Sequence, residues 1–183
     1  MTERNHHEGE ISRDHRDEAG AARSEGAGGL EDRDGPGVFV PPPLQFGVAV
    51  AAGVILDGDS PGWHHLADPL RFAGILVGLA GLVLIAICLG LFRRFRTRPE
   101  PWQPDQALIA SGVYRFSRNP MYLGMALLCL GIAMLFESLL GILFLGVTLV
   151  VITHYVVARE EAYLARRFGA EYDAYRAKVR RWL

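Results

Sequence analysis

Charge is what this sequence lacks where a soluble domain would need it. Charged residues gather in the first 35 residues, between Arg93 and Arg118, and after Arg159, and the runs between are too long and too apolar for ordinary core helices. Cysteine is scarce as well: Cys88 and Cys129 are the two in the chain, they show no framework spacing, and both fall inside apolar runs. That excludes a disulfide scaffold and leaves them as small apolar filler. No metal-ligand cluster can be assembled, since His6, His7 and His15 are too sparse. A strand followed by a glycine-rich turn and a helix is also missing, as is a phosphate-cradling loop, which excludes the common soluble nucleotide-binding folds. The first apolar stretch begins only after Pro43, so no cleaved signal peptide is expected.

What is present is a set of membrane-length apolar runs. Residues 70–92, LRFAGILVGLAGLVLIAICLGLF, carry one charge at the start and none after it, against the roughly 20 apolar residues that a spanning helix needs. A longer block, 120–158, is interrupted by Glu137, Ser138 and His154, and its length predicts a fold back at Glu137-Ser138 into spans over 120–136 and 139–158. Residues 41–56 suit a short or tilted span, or a helix lying partly in the interface. The expected fold is all-α, a polytopic membrane helix bundle of about four transmembrane helices over 41–183. Residues 1–40 lack the aliphatic side chains to offset the entropy of ordering and read as a disordered acidic tail.

Positive charge sets the expected orientation. Arg93, Arg94, Arg96, Arg98, Arg115 and Arg118 lie between spans two and three, and the tail from Arg159 carries seven Lys or Arg against four acids. The loop from Asp57 to Asp68 has three aspartates and no Lys or Arg, so the arginine-rich side is expected in the cytoplasm, pointing to a bacterial inner membrane. Beside spans, these arginines point to anionic lipid headgroups and not to nucleic acid. Residues 159–182 read as a cytoplasmic amphipathic helix, with Leu164, Phe168, Tyr172, Tyr175 and Val179 on one stripe and a break or bend at Gly169. In the second span, Gly74 and Gly78 form a G-x-x-x-G pair that permits close helix approach, inside one bundle or across a homodimer seam.

Chemistry concentrates in Gly112-Val113-Tyr114-Arg115-Phe116-Ser117-Arg118-Asn119-Pro120-Met121-Tyr122-Leu123-Gly124. Prolines at 99, 101 and 104 keep the preceding loop irregular, with one turn expected over Ala107–Ala110. Gly112 permits a tight turn, and Gly124 leaves a notch beside the third span. Asn119 suits an N-cap and offers both a donor and an acceptor, while Arg118 has the fork geometry to clamp an anion. Beyond the fourth span, Glu160 and Glu161 place two carboxylates among arginines, and His154 lies seven residues before Glu161, so the two fit one helical stripe. A plain structural account also fits: Arg115 and Arg118 as topology charges, Tyr114 and Tyr122 as interfacial anchors, Asn119-Pro120 as a helix start.

The order G-x-Y-x-x-x-R-N-P-M-Y-x-G, an apolar hairpin, then E-E-x-x-L-x-x-x-F-G-x-x-Y-x-x-Y resembles the isoprenylcysteine carboxyl methyltransferase family and its phospholipid methyltransferase relatives, over about residues 70–183. The resemblance implies a membrane methyltransferase that uses S-adenosylmethionine from a cytoplasm-facing pocket and a lipophilic acceptor, a carboxylate, amine or thiol, arriving from the bilayer. It implies that Gly112, Tyr114, Asn119, Pro120, Tyr122, Leu123, Gly124, Glu160 and Glu161 form the cofactor site. Arg118, Glu160 and His154 are the catalytic candidates, and no metal site is expected. Asn119 stands where many members have histidine; an amide there donates to a carboxylate but shuttles no proton. Two other readings compete: a non-catalytic membrane assembly or lipid-binding protein, and a membrane reductase of sterol-reductase-like architecture.

Overall fold

Proline opens two of the helices, at the first-turn position where its missing N–H costs nothing and its fixed φ is already helical. The structure is a computed structural model and describes residues 40–58, 67–95 and 108–183. Its helices are α1 (Pro42–Asp57), α2 (Ala67–Arg94), α3 (Pro120–Leu135), α4 (Leu139–Val151), α5 (Ala158–Phe168) and α6 (Ala170–Lys178). A 3₁₀ turn covers Gly112–Arg115, and a π-helical segment, Ile152–Val157, joins α4 to α5 without a break. Among the described residues all regular structure is helical. The expected tail, its histidines, Arg96, Arg98 and the prolines at 99, 101 and 104 lie outside the described residues, apart from Val40 at the tail's end.

Two helices are long and apolar enough to cross a membrane by length and composition: Asp68–Arg94 with 27 residues and Leu139–Phe168 with 30. Helices α1 and α3 are apolar and have 16 residues each, roughly 24 Å at about 1.5 Å per residue. Large apolar side chains cover the outside, among them Phe72, Leu76, Leu79, Leu82 and Val83 of α2 and Leu143, Val147 and Val150 of α4. A water-soluble monomer does not expose continuous apolar faces of this extent; a lipid-facing surface does.

Helix α3 is central, with α2 against one side and α1 and α4 against the other. Glycines bring the axes close. A Cβ on Gly131 would stand 2.5 Å from both Gly74 O and Gly78 N, and one on Gly81 would stand 2.6 Å from Gly124 O. The Gly74–Gly78 face, which the sequence also offered to a second copy, is thus taken up inside the chain by Gly131. Gly53 of α1 meets Gly141 of α4 in the same manner. Phe46, Val50, Tyr122, Ala126, Cys129, Leu145, Ile152, Val156 and Val157 form the main core, and Cys88, Ile109 and Tyr114 a smaller one.

The chain turns back at Glu137-Ser138 as expected, with Glu137 at φ 54°. Ser138 Oγ accepts from Gly141 N at 2.8 Å, capping α4, and donates to Asp57 Oδ2 at 2.7 Å. Asp57 Oδ2 also accepts from Leu140 N at 3.0 Å, and Arg71 pairs with Glu137 at 2.7 Å. One end of the bundle is therefore closed by Asp57, Arg71, Glu137 and Ser138.

Three local expectations are corrected. The turn expected over Ala107–Ala110 is irregular from Leu108 to Ala110, and the ordered turn sits at Gly112–Arg115, where Gly112 takes φ 61° after an extended Ser111. The terminal helix expected over 159–182 breaks at Gly169, at φ 49°, as expected, but ends at Lys178, because Val179 is extended and the residues after it bind elsewhere. The stripe joining His154 to Glu161 does not form. Each i→i+5 turn of Ile152–Val157 holds an extra residue, which changes the helical phase. His154 is exposed, while the Glu161 carboxylate is turned inward.

Candidate functional site

The end of the bundle opposite Asp57 and Glu137 gathers the motif residues. Val113 to Ser117 wrap over the close of α2: Gly112 sits on Leu91, and the Tyr114 ring stands edge-on to Phe92 with centroids 6.1 Å apart. Tyr114 is buried beside Cys88 and Ile109, so it is no interfacial anchor. Burial pushes its hydroxyl well above the usual tyrosine range, with smaller upward contributions from Cys88 and Glu160. Its carbonyl accepts from Tyr175 Oη of α6 at 2.7 Å, which fixes the motif loop to the terminal helix.

Tyr122, one turn into α3, is also buried and donates its hydroxyl to Glu160 Oε1 of α5. Two halves of the motif set, 38 residues apart, thus meet through one hydrogen bond. Pro120 is buried at the helix start, and Leu123 N donates to Asn119 O at 3.1 Å. The notch beside Gly124 is filled by Ile85 and by Gly81 O of α2, so this glycine serves helix packing.

Beside this pair lies an ion cluster. Arg118 Nη1 is 3.1 Å from Glu161 Oε1 and donates to Tyr172 Oη at 3.4 Å. Arg181 grips the same carboxylate with both arms of its fork, Nε to Oε1 at 3.0 Å and Nη2 to Oε2 at 2.6 Å. Those bonds to Glu161 raise the Arg181 guanidinium above its ordinary value against the effect of burial. Arg118 and Glu161 are 12% and 13% exposed, a largely desolvated pair, while Arg181, 40% exposed, brings a second guanidinium to the same carboxylate. Arg118 Nε is buried and has no hydrogen-bond partner.

Asn119 stands at the α3 N-cap position without capping: its side-chain amide donates to Arg181 O at 3.0 Å, and its own N–H reaches Ser117 Oγ at 3.2 Å. Ser117 is buried and donates to Arg181 O at 3.3 Å. The sequence brings Arg118, Asn119, Pro120 and Tyr122 together with Glu160 and Glu161, with Gly112 and Tyr114 in the loop above. It does not bring His154, which is exposed on the outer face of the π segment. Ser117, Tyr172, Tyr175 and Arg181 join the site beyond the residues that the sequence motifs mark. The tyrosines carried a signal as members of the amphipathic stripe, whereas Arg181 was one of seven basic residues in a tail whose charge already had an explanation. Among the described residues no group of three or more His, Cys, Asp or Glu could hold a metal ion.

The family model described as phospholipid methyltransferase matches residues 69–171. The chain is 29% identical over 126 residues to the protein-S-isoprenylcysteine O-methyltransferase of Schizosaccharomyces pombe, a match covering 60% of this chain and 53% of that one. The chain thus spans about half the length of the fission-yeast relative. Over 63 residues it is 41% identical to an uncharacterised protein of Haemophilus influenzae, covering 34% of this chain and 100% of that protein. No solved structure matches.

Proposed function

The chain belongs to the phospholipid methyltransferase family, and on that premise we propose that it transfers a methyl group from S-adenosylmethionine to a lipophilic acceptor held in the membrane. The observation that carries the proposal is the meeting of Arg118, Asn119 and Tyr122 with Glu160 and Glu161 at one end of an apolar bundle. S-adenosylmethionine supplies, when bound, an already activated methyl group on a sulfonium beside an amino-acid carboxylate. A site for it needs both signs of charge. The residues fit: Arg118 has a buried N–H without a partner for an anion, and Glu160 brings a carboxylate whose direction Tyr122 fixes.

In this reading Glu160 faces the cation and Glu161 is the internal counter-charge of Arg118 and Arg181. Alignment and exclusion of water carry most of the acceleration, because the reacting group needs no further activation. Buried Pro120 and Tyr122 and the adjoining core supply the dry wall. A carboxylate acceptor needs an arginine to hold it and no base. An amine or thiol must shed a proton, and Glu160 is placed for that while exposed His154 is not.

The helices α1 to α4 all cross the bilayer in this proposal, the two 16-residue helices with tilt or local thinning. The membrane is a bacterial inner membrane, with the Arg118 end in the cytoplasm. Exposed Arg93, Arg94, Arg115, Arg166, Arg167 and Arg180, with Arg159 stacked on Tyr155 at 4.0 Å, surround that end and suit anionic headgroups. Calorimetric titration of the detergent-purified protein with S-adenosylhomocysteine tests the proposal. Saturable binding in the micromolar to millimolar range is expected; none at all, or binding of a nicotinamide dinucleotide instead, would sink it.

A further inference from the structure

After Lys178 the chain leaves the helix and crosses the motif loop. Val179 is extended, Arg180 O accepts from Arg118 N at 3.0 Å, and Arg181 O accepts from both Ser117 Oγ and Asn119 Nδ2. Trp182 then packs against the main core. Three consecutive motif residues are thus held by two carbonyls, while the Arg181 side chain reaches across to Glu161 on α5. This one residue touches both halves of the site.

The geometry of the shared carboxylate suggests what that contact does. Arg181 occupies both oxygens of Glu161, so Arg118 shares only Oε1 through Nη1, and its Nε stays unspent. Removing the Arg181 fork would leave Glu161 with Arg118 as its only cation in these contacts. The two then form a one-to-one pair in a largely desolvated place, and Arg118 is held by Glu161, because leaving that pair would strand a buried charge. We propose that Arg181 is a positioning residue: by neutralising Glu161 it keeps Arg118 available for the anionic group of a ligand. The inference rests on the methyltransferase reading, in which that anion is the amino-acid carboxylate of the methyl donor.

The test compares two ligands on the full chain. S-adenosylhomocysteine carries the carboxylate; 5′-methylthioadenosine lacks the amino-acid end. Arg181→Gln should weaken S-adenosylhomocysteine by about tenfold or more, as loss of a charged hydrogen bond would, and leave methylthioadenosine within about twofold. Glu161→Gln added to Arg181→Gln removes the charge that captures Arg118, so the double variant should bind S-adenosylhomocysteine more tightly than Arg181→Gln alone. Arg181→Gln leaves Arg118 and Glu161 as a balanced pair, and retained methylthioadenosine binding by each variant reports that it is folded, which keeps the comparison usable. Equal weakening of both ligands, unchanged S-adenosylhomocysteine affinity in Arg181→Gln, or a double variant no tighter than the single would overturn the positioning role. A wild-type protein that binds neither ligand overturns the methyltransferase reading, and this inference with it.

Discussion

Tyr122 and Glu160 are the contact on which single-residue behaviour should turn. Glu160→Gln keeps the size of the side chain and removes its charge, so S-adenosylhomocysteine binding should fall by about tenfold or more while the fold persists. A thermal midpoint measured beside the titration checks this, and a collapse of the midpoint with no separate loss of affinity would favour a non-catalytic bundle. The buried phenols make a second prediction. Burial raises the Tyr114, Tyr172 and Tyr175 hydroxyls, so each holds its proton more firmly in the folded chain than in the unfolded one. The stability they contribute is complete below about pH 10, the unfolded tyrosine value, and is lost as pH rises through their folded values. Thermal midpoints recorded across the alkaline range should be level and then fall above about pH 10, and the fall should be smaller in Tyr175→Phe. At this scale much was legible in the sequence: Arg118, Asn119, Tyr122, Glu160 and Glu161 do converge. Arg181 was not, because a basic residue in a basic tail looks the same whether it meets water or a buried carboxylate.

Among elements, the seam between α2 and α3 has the least room. Gly131→Ala would set a methyl 2.5 Å from backbone on Gly74 and Gly78, so the helices must separate, at a cost of about 1–3 kcal/mol. Gly146 has nothing within 4 Å of where a Cβ would go, so Gly146→Ala should be neutral or stabilising by up to about 1 kcal/mol through helix propensity. Denaturation midpoints of the two variants in the same detergent should move apart, and equal midpoints would contradict the seam. The helices themselves were readable from apolar length, proline starts and the polar pair at Glu137-Ser138. Two things were not. Past the end of α6 at Lys178, the Arg180 and Arg181 carbonyls accept from donors far away in sequence, Arg118 N, Ser117 Oγ and Asn119 Nδ2. The π segment buries Ile152, Val156 and Val157, and hydropathy carries no mark of it.

For the whole molecule, the two polar ends frame a prediction about topology. Asp57, Arg71, Glu137 and Ser138 close one end, and Arg118, Glu161 and Arg181 the other. If all four apolar helices cross, Asp68→Cys should react with an impermeant maleimide on intact cells, and Ala177→Cys only after permeabilisation. Labelling of both from the same side would refute that arrangement. The native thiols do not confuse the assay, since Cys88 and Cys129 are buried. The π segment also bears on how far chain length can drift in such a molecule. An extra residue inside Ile152–Val157 is absorbed by i→i+5 bonding, so losing exposed His154 would restore ordinary helix there and leave Glu160 and Glu161 aimed as before. Losing one residue from α4 instead would turn both carboxylates by roughly 100°, one residue's step of an α-helix. The helix that joins the apolar half of the molecule to its charged half thus has one place where a deletion is harmless to the site.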